Sequence, residues 1–173
     1  MVNTVLDWER AGSGEPLVLL HGIGSTREDF AALRPRLAAE YDVLAVDLPG
    51  HGRSPALRGR PTVQASADVV EADLDALGLR RVHMLGNSLG ARLALELARR
   101  GRGLAVVAIA PSGMNLVPER VYQGLVMGGA RLVLGRARSL IDPLSRRRTG
   151  RAALLAGLRA RPGQASVAEA RAI

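Results

Sequence analysis

The sequence predicts an α/β fold, a doubly wound and mostly parallel sheet with a helical segment at its C-terminal end. Three observations predict it. Short continuous apolar runs, Leu17 to Leu20, Val43 to Val46 and Leu104 to Ala110, have the length and composition of strands buried on both faces, and Val82 to Leu85 reads as a further strand. Stretches with helical apolar spacing separate them, so strand and helix alternate as βαβ units do. From about Asn115 onward only helical periodicity remains, through Val121, Leu125, Val126, Leu132, Val133, Leu154, Leu155 and Leu158. Residues 1–114 are therefore expected to form a sheet core, and residues 115–173 a helical segment.

The elements follow in chain order. Thr4 to Arg10 alternates loosely and reads as an edge strand, and Gly12-Ser13-Gly14-Glu15-Pro16 is a turn before the first buried strand. Thr26 to Asp29 opens a helix with Phe30, Leu33 and Leu37 in phase, and Pro35 either interrupts it or begins a shorter one. Thr62 caps the next helix, whose apolar face is Ala67, Val70, Leu74 and Leu77, and Gly78 closes it. Asp68, Glu71, Asp73 and Asp75 are placed largely on its solvent face. That reading is preferred to a metal-binding carboxylate cluster. His83, inside the strand before residue 86, is read as a satisfied core or sheet-edge histidine.

Composition bounds the function. The 173 residues suffice for one domain with a real core, and no cysteine is present, so disulfide and thiol chemistry are excluded. Charges within the first ten residues argue against a signal peptide, and no apolar run is long enough to span a bilayer. A cytoplasmic location without membrane contact is the expectation. Every Lys or Arg is arginine. Residues 1–120 balance 14 Arg with 14 acids, whereas residues 121–173 hold 10 Arg and 2 acids and so carry the whole net charge of +8. Beyond Tyr122 this basic segment has no aromatic for base stacking, so a solvated helical face is preferred to a nucleic-acid surface.

Three loops fall at the carboxyl ends of apolar runs, where open α/β sheets bind ligands. They are His21-Gly22-Ile23-Gly24-Ser25, Asp47-Leu48-Pro49-Gly50-His51-Gly52-Arg53-Ser54, and Gly86-Asn87-Ser88-Leu89-Gly90. The last fits G-x-S-x-G between a strand and a helix with Leu89, Leu93 and Leu97 in phase. Such a corner pushes the serine above the sheet, while the flanking glycines let strand and helix approach. Free N–H groups at the helix start favour developing negative charge there. The plain alternative is a serine that only caps a helix.

Together the HG-x loop, the D-x-P-G-x-G-x-S loop and the elbow resemble the α/β-hydrolase fold family, serine hydrolase type, over nearly the whole chain. The resemblance implies Ser88 as nucleophile and the backbone N–H groups of Ile23 and Leu89 as the oxyanion hole. His21, Gly22, Gly24, Gly86, Gly90, Asp47, Gly50 and His51 are the supporting motif positions, with His21 anchoring its loop. It further implies a helical cap over the nucleophile, with Leu116, Val126, Met127 and Leu134 lining an acyl pocket. The expected partner is a small-molecule acyl substrate, with no cofactor and no metal. The oligomeric state is left open.

The family's triad runs Ser, acid, His in chain order. Here His83 is the last histidine, and Glu96, Glu119, Asp142 and Glu169, the acids after Ser88, do not fall at strand ends. The sequence is therefore read as the first two-thirds of a family-sized domain, with one N-terminal strand where relatives often have a hairpin. An ester-cleaving serine hydrolase is the leading expectation, with lactonase, thioesterase, C–C hydrolase and cofactor-free haloperoxidase chemistry sharing the same serine framework. A catalytically inactive fragment or interaction module is the alternative, and His51 as a substitute base is a third.

Overall fold

Four parallel strands and one antiparallel edge strand form the sheet that the apolar runs predict. The computed structural model describes residues 5–114, 124–125, 128–129, 138–154 and 167. The chain divides into two units, Met1–Gly113 and Met114–Ile173. In the first, β1 (Trp8–Ala11), β2 (Glu15–Leu20), β3 (Tyr41–Val46), β4 (Val82–Asn87) and β5 (Gly103–Ile109) lie in the order β1-β3-β2-β4-β5. β1 runs antiparallel to β3, pairing Trp8 with Val46, and all other pairings are parallel. The chain steps from β2 outward to β3, then crosses to the other side of β2 for β4. β2 and β4 therefore flank the point where the winding reverses, and the carboxyl ends of strands at such a point are where open α/β sheets bind ligands.

Helices cover both faces. On one, Val18, Leu20, Leu44, Val46, Val82 and Met84 pack against α2 (Val63–Ala76) and α3 (Leu89–Arg99) through Val70, Leu74, Leu93 and Leu97. On the other, Leu17, Leu19, Val43 and Ala45 meet Phe30 and Leu37. Phe30 ends a single 3-10 turn (Arg27–Phe30) started by Thr26, whose hydroxyl accepts the Glu28 N–H, and Pro35 opens the short α1 (Arg34–Leu37). Thr62 caps α2 by accepting the Ala65 N–H at 3.1 Å. At its far end the Leu79 N–H donates to the Leu74 carbonyl around Gly78.

Two expectations are corrected. The run Leu104 to Ala110 is not buried on both faces, because β5 is the sheet's outer strand, and Leu104, Val107 and Ile109 are exposed. Among the described residues nothing pairs with its free side. Asp73 is not on the solvent face of α2: it is 2% exposed and accepts hydrogen bonds from the Val5 and Leu6 amides and from Trp8 Nε1 at 2.7–2.9 Å. Three donors converge there, and they repay the burial of its charge.

The remaining α2 acids face arginines. Arg100 reaches Asp68 and Glu71, and Arg102 reaches Asp75. Arg99 and Arg100 hold the Glu96 carboxyl down at about 2 through charged hydrogen bonds. His83 Nε2 lies 3.0 Å from Glu15 at the amino end of β4, so it is satisfied away from the sheet's carboxyl edge. Among the described residues no group of three His, Cys, Asp or Glu side chains is placed to hold a metal, and no helix is long and apolar enough to cross a membrane.

In the second unit, α4 (Arg138–Ser145) and α5 (Arg148–Leu154) form a tight helical pair. A Cβ on Gly150 would overlap the Leu144 carbonyl, and Arg151 Nη1 caps the Ser145 carbonyl at 2.9 Å. Leu116, Val126, Met127 and Leu134 lie outside the described residues.

Candidate active site

Ser88 stands between the last residue of β4 and the first of α3, with φ 52° and ψ −108°. A non-glycine residue at positive φ costs roughly 1–3 kcal/mol and persists only where its surroundings over-determine it. Here they do. The Ser88 N–H donates to the Ile109 carbonyl at 2.9 Å, and its carbonyl accepts from the Ser112 and Arg92 amides at 3.0 and 3.1 Å. Both backbone groups are thus consumed by the neighbouring strand, the loop after it and the helix. The hydroxyl makes no capping bond to α3. That separates Ser88 from the helix-capping alternative.

The glycines on either side are there for space. A Cβ on Gly86 would overlap the backbone of Gly90 and Ala91, and one on Gly90 would overlap the carbonyls of Leu20 and His21. The start of α3 therefore lies directly against the ends of β4 and β2. Gly22 is buried next to the same corner: a Cβ there would lie 3.4 Å from the Ser88 Cβ. The HG-x loop and the elbow, 66 positions apart in sequence, meet at the carboxyl ends of β2 and β4. Ile23 is exposed at the loop's tip and Gly24 follows at φ 71°. Leu89 begins α3, where the first amides have no carbonyl partner within the helix.

The third loop joins through His21 and Asp47. His21 is fully buried, its Nδ1 lies 2.7 Å from the Gly22 carbonyl, and its Nε2 accepts the Leu48 N–H at 2.9 Å. An acceptor at Nε2 fixes the proton on Nδ1, so the ring is neutral and bridges two loops. Burial pushes its pKa below the ordinary 6.5, outweighing the hydrogen bond to Gly22. A histidine held neutral binds fewer protons folded than unfolded, so its contribution to stability is lost as pH falls below about 6.5. His21 is expected to titrate below 6.5 by NMR, with the melting temperature falling from about pH 6.5 down to that titration and levelling off below it. A ring titrating above 6.5 would contradict the assigned geometry.

Asp47 is also buried, and its carboxylate accepts the Arg27 and Arg53 N–H groups at 2.9 and 3.1 Å. Gly50 turns the loop at φ 76°. His51 is half-buried, 5.2 Å from the His21 ring between centroids, with Nδ1 3.0 Å from the Pro49 carbonyl. Every motif position read from the sequence thus falls on one edge of the sheet. Arg27 was missed. Its side chain is buried among Asp7, Glu9 and Asp47, and an arginine in a polar turn gives no periodic signal of burial.

A crossover sheet with a strained serine corner at its switch point defines an α/β-hydrolase core. The family model described as "Alpha/beta hydrolase family" matches residues 17–172, and the chain belongs to that family. It is similar to the dihydrolipoyllysine-residue acetyltransferase component of the acetoin cleaving system of Pseudomonas putida, 35% identical over 75% of this chain and 36% of that protein. It is also similar to the pimeloyl-[acyl-carrier protein] methyl ester esterase of Neisseria meningitidis serogroup B, 46% identical over 47% of this chain and 30% of that protein. The chain thus aligns with about a third of each of these curated relatives. Among solved structures, a hydrolase from Pseudomonas aeruginosa PA01 matches with a TM-score of 0.63 and 28% identity, covering 96% of this chain and 67% of that one.

Proposed function

We propose that the chain carries the nucleophile and oxyanion-binding part of a serine hydrolase that cleaves an ester-like acyl bond in a small-molecule substrate. In this reading Ser88 Oγ attacks the acyl carbonyl and passes its proton to a base. The carbonyl oxygen becomes an oxyanion held by the N–H groups of Ile23 and Leu89. Collapse expels the alcohol and leaves an acyl-serine for water to cleave. One oxyanion donor contributes about 3–4 kcal/mol to such a barrier. The observation that carries the reading is the strained Ser88 corner with its hydroxyl uncommitted to the helix, packed beside Gly22.

The triad acid and histidine of this reading are not among the residues of this sequence, and His51 is the candidate for a substitute base. His21 is engaged at both ring nitrogens, and His83 lies at the amino end of β4. His51 is the histidine left on the same sheet edge. The lack of any histidine after Ser88 favours a second reading, in which this chain by itself is catalytically silent. Hydrolysis of a short p-nitrophenyl ester decides between them. Ser88→Ala is expected to lower the rate by about two orders of magnitude or more. A rate equal to that of the unaltered chain would overturn Ser88 catalysis here. Ser88-dependent turnover that survives His51→Ala would remove His51 as base.

A further inference from the structure

We infer that Arg27 is a positioning residue for the loop that carries Ile23, acting through Asp47; the inference rests on Ile23 as an oxyanion donor. The loop is held at two points, and both lie on consecutive residues after β3. At its start, His21 Nε2 accepts the Leu48 N–H at 2.9 Å. At its end, the Arg27 N–H donates to Asp47 Oδ1 at 2.9 Å. Between these pins Ile23 and Gly24 are exposed, and the bond from the Ser25 N–H to the Gly22 carbonyl is long at 3.3 Å. The tip therefore depends on its two pins for its place.

Arg27 supplies the second pin with its backbone and locks it with its side chain. The guanidinium is only 6% exposed, with Nη1 2.8 Å from Asp7 and 3.9 Å from Asp47, and Nε 3.5 Å from Glu9. A buried guanidinium is tolerated only where carboxylates meet it in good geometry, which leaves the side chain little freedom to move. Asp47 is equally constrained. It accepts the Arg53 N–H, its own N–H donates to the Asp7 carbonyl at 3.0 Å, and Gly52 lies against its carboxylate with no room for a Cβ. Because one residue carries both contacts, placing the Arg27 side chain also places its amide, and with it the end of the Ile23 loop. The distance from Ile23 is four positions, within reach of a rigid turn.

The test is amide hydrogen exchange by NMR on the full 173-residue chain, comparing Asp47→Asn with Arg27→Lys, which keeps the buried charge but not the planar fork. The hydrogen-bonded amides of Ser25 and Leu48 are expected to exchange at least about tenfold faster in both variants, as local opening predicts. Amides in the ladders of Leu17–Leu20 and Val82–Leu85 are expected to change less than about twofold. Equal acceleration across the sheet would overturn the inference by making the network a global stabiliser. Unchanged loop exchange, or failure of both variants to fold, would overturn it too. Exchange needs no turnover, so this result stands apart from whether Ser88 hydrolyses an ester.

Discussion

Gly90→Ala is expected to lower stability by about 3–4 kcal/mol, with a fall in melting temperature on the order of 10 °C. The methyl group would enter the space of the Leu20 and His21 carbonyls, which are backbone atoms of the central strand and its loop. Overpacked side chains can rotate away, but these carbonyls cannot. Leu20 is held on both sides, against Val46 of β3 and Gly86 of β4. Relief therefore requires α3 to lift from the sheet, which also uncovers Leu93 and Leu97 and releases the Ser88 corner. Gly124→Ala is the control, since a Cβ there meets nothing within 4 Å among the described residues. Equal melting temperatures for the two variants would mean that the close approach of α3 and β2 does not exist.

Asp73→Ala is expected to cost about 2–4 kcal/mol and to free the segment before β1. Its carboxylate receives three donors: the amides of Val5 and Leu6 and the Trp8 indole. Leu6 is buried in the main core, so its amide loses the Asp73 acceptor away from water, whereas exposed Val5 regains water. That difference sets the estimate below three full desolvation penalties. Trp8 is the one tryptophan in the sequence and reports the change directly. Its emission should shift to the red before the main unfolding transition. An unshifted spectrum with an unchanged melting curve would contradict the convergence of donors on Asp73.

The sheet and the candidate site were legible to different depths. Continuous apolar runs located β2 and β3, since strands buried on both faces need apolar side chains at successive positions. The same signal misled at Leu104 to Ala110. Composition records what a strand tolerates, while exposure depends on which neighbours cover it. The site loops were readable because their glycines answer to steric demands local to a strand–helix corner. Asp73 was discarded as a surface charge although it lies three positions after Val70 and beside Leu74, in phase with the buried stripe of α2. Its phase was the available signal. Arg27 offered none, because its partners Asp7 and Asp47 lie 20 positions to either side and are joined only by the β1–β3–β2 arrangement.

The pairing of β2 with β4 has a consequence in time. Every partner in that ladder is 66 positions away along the chain, from Leu17 with His83 to Leu20 with Gly86. Contacts so distant in sequence form only after a large loop has closed, and they slow folding. Until they form, Gly22 has no Ser88 beside it and Gly90 has no Leu20 to rest on. An emerging or partly unfolded chain thus carries the serine without its setting. The Ser88 corner is therefore completed only when the β2–β4 ladder closes.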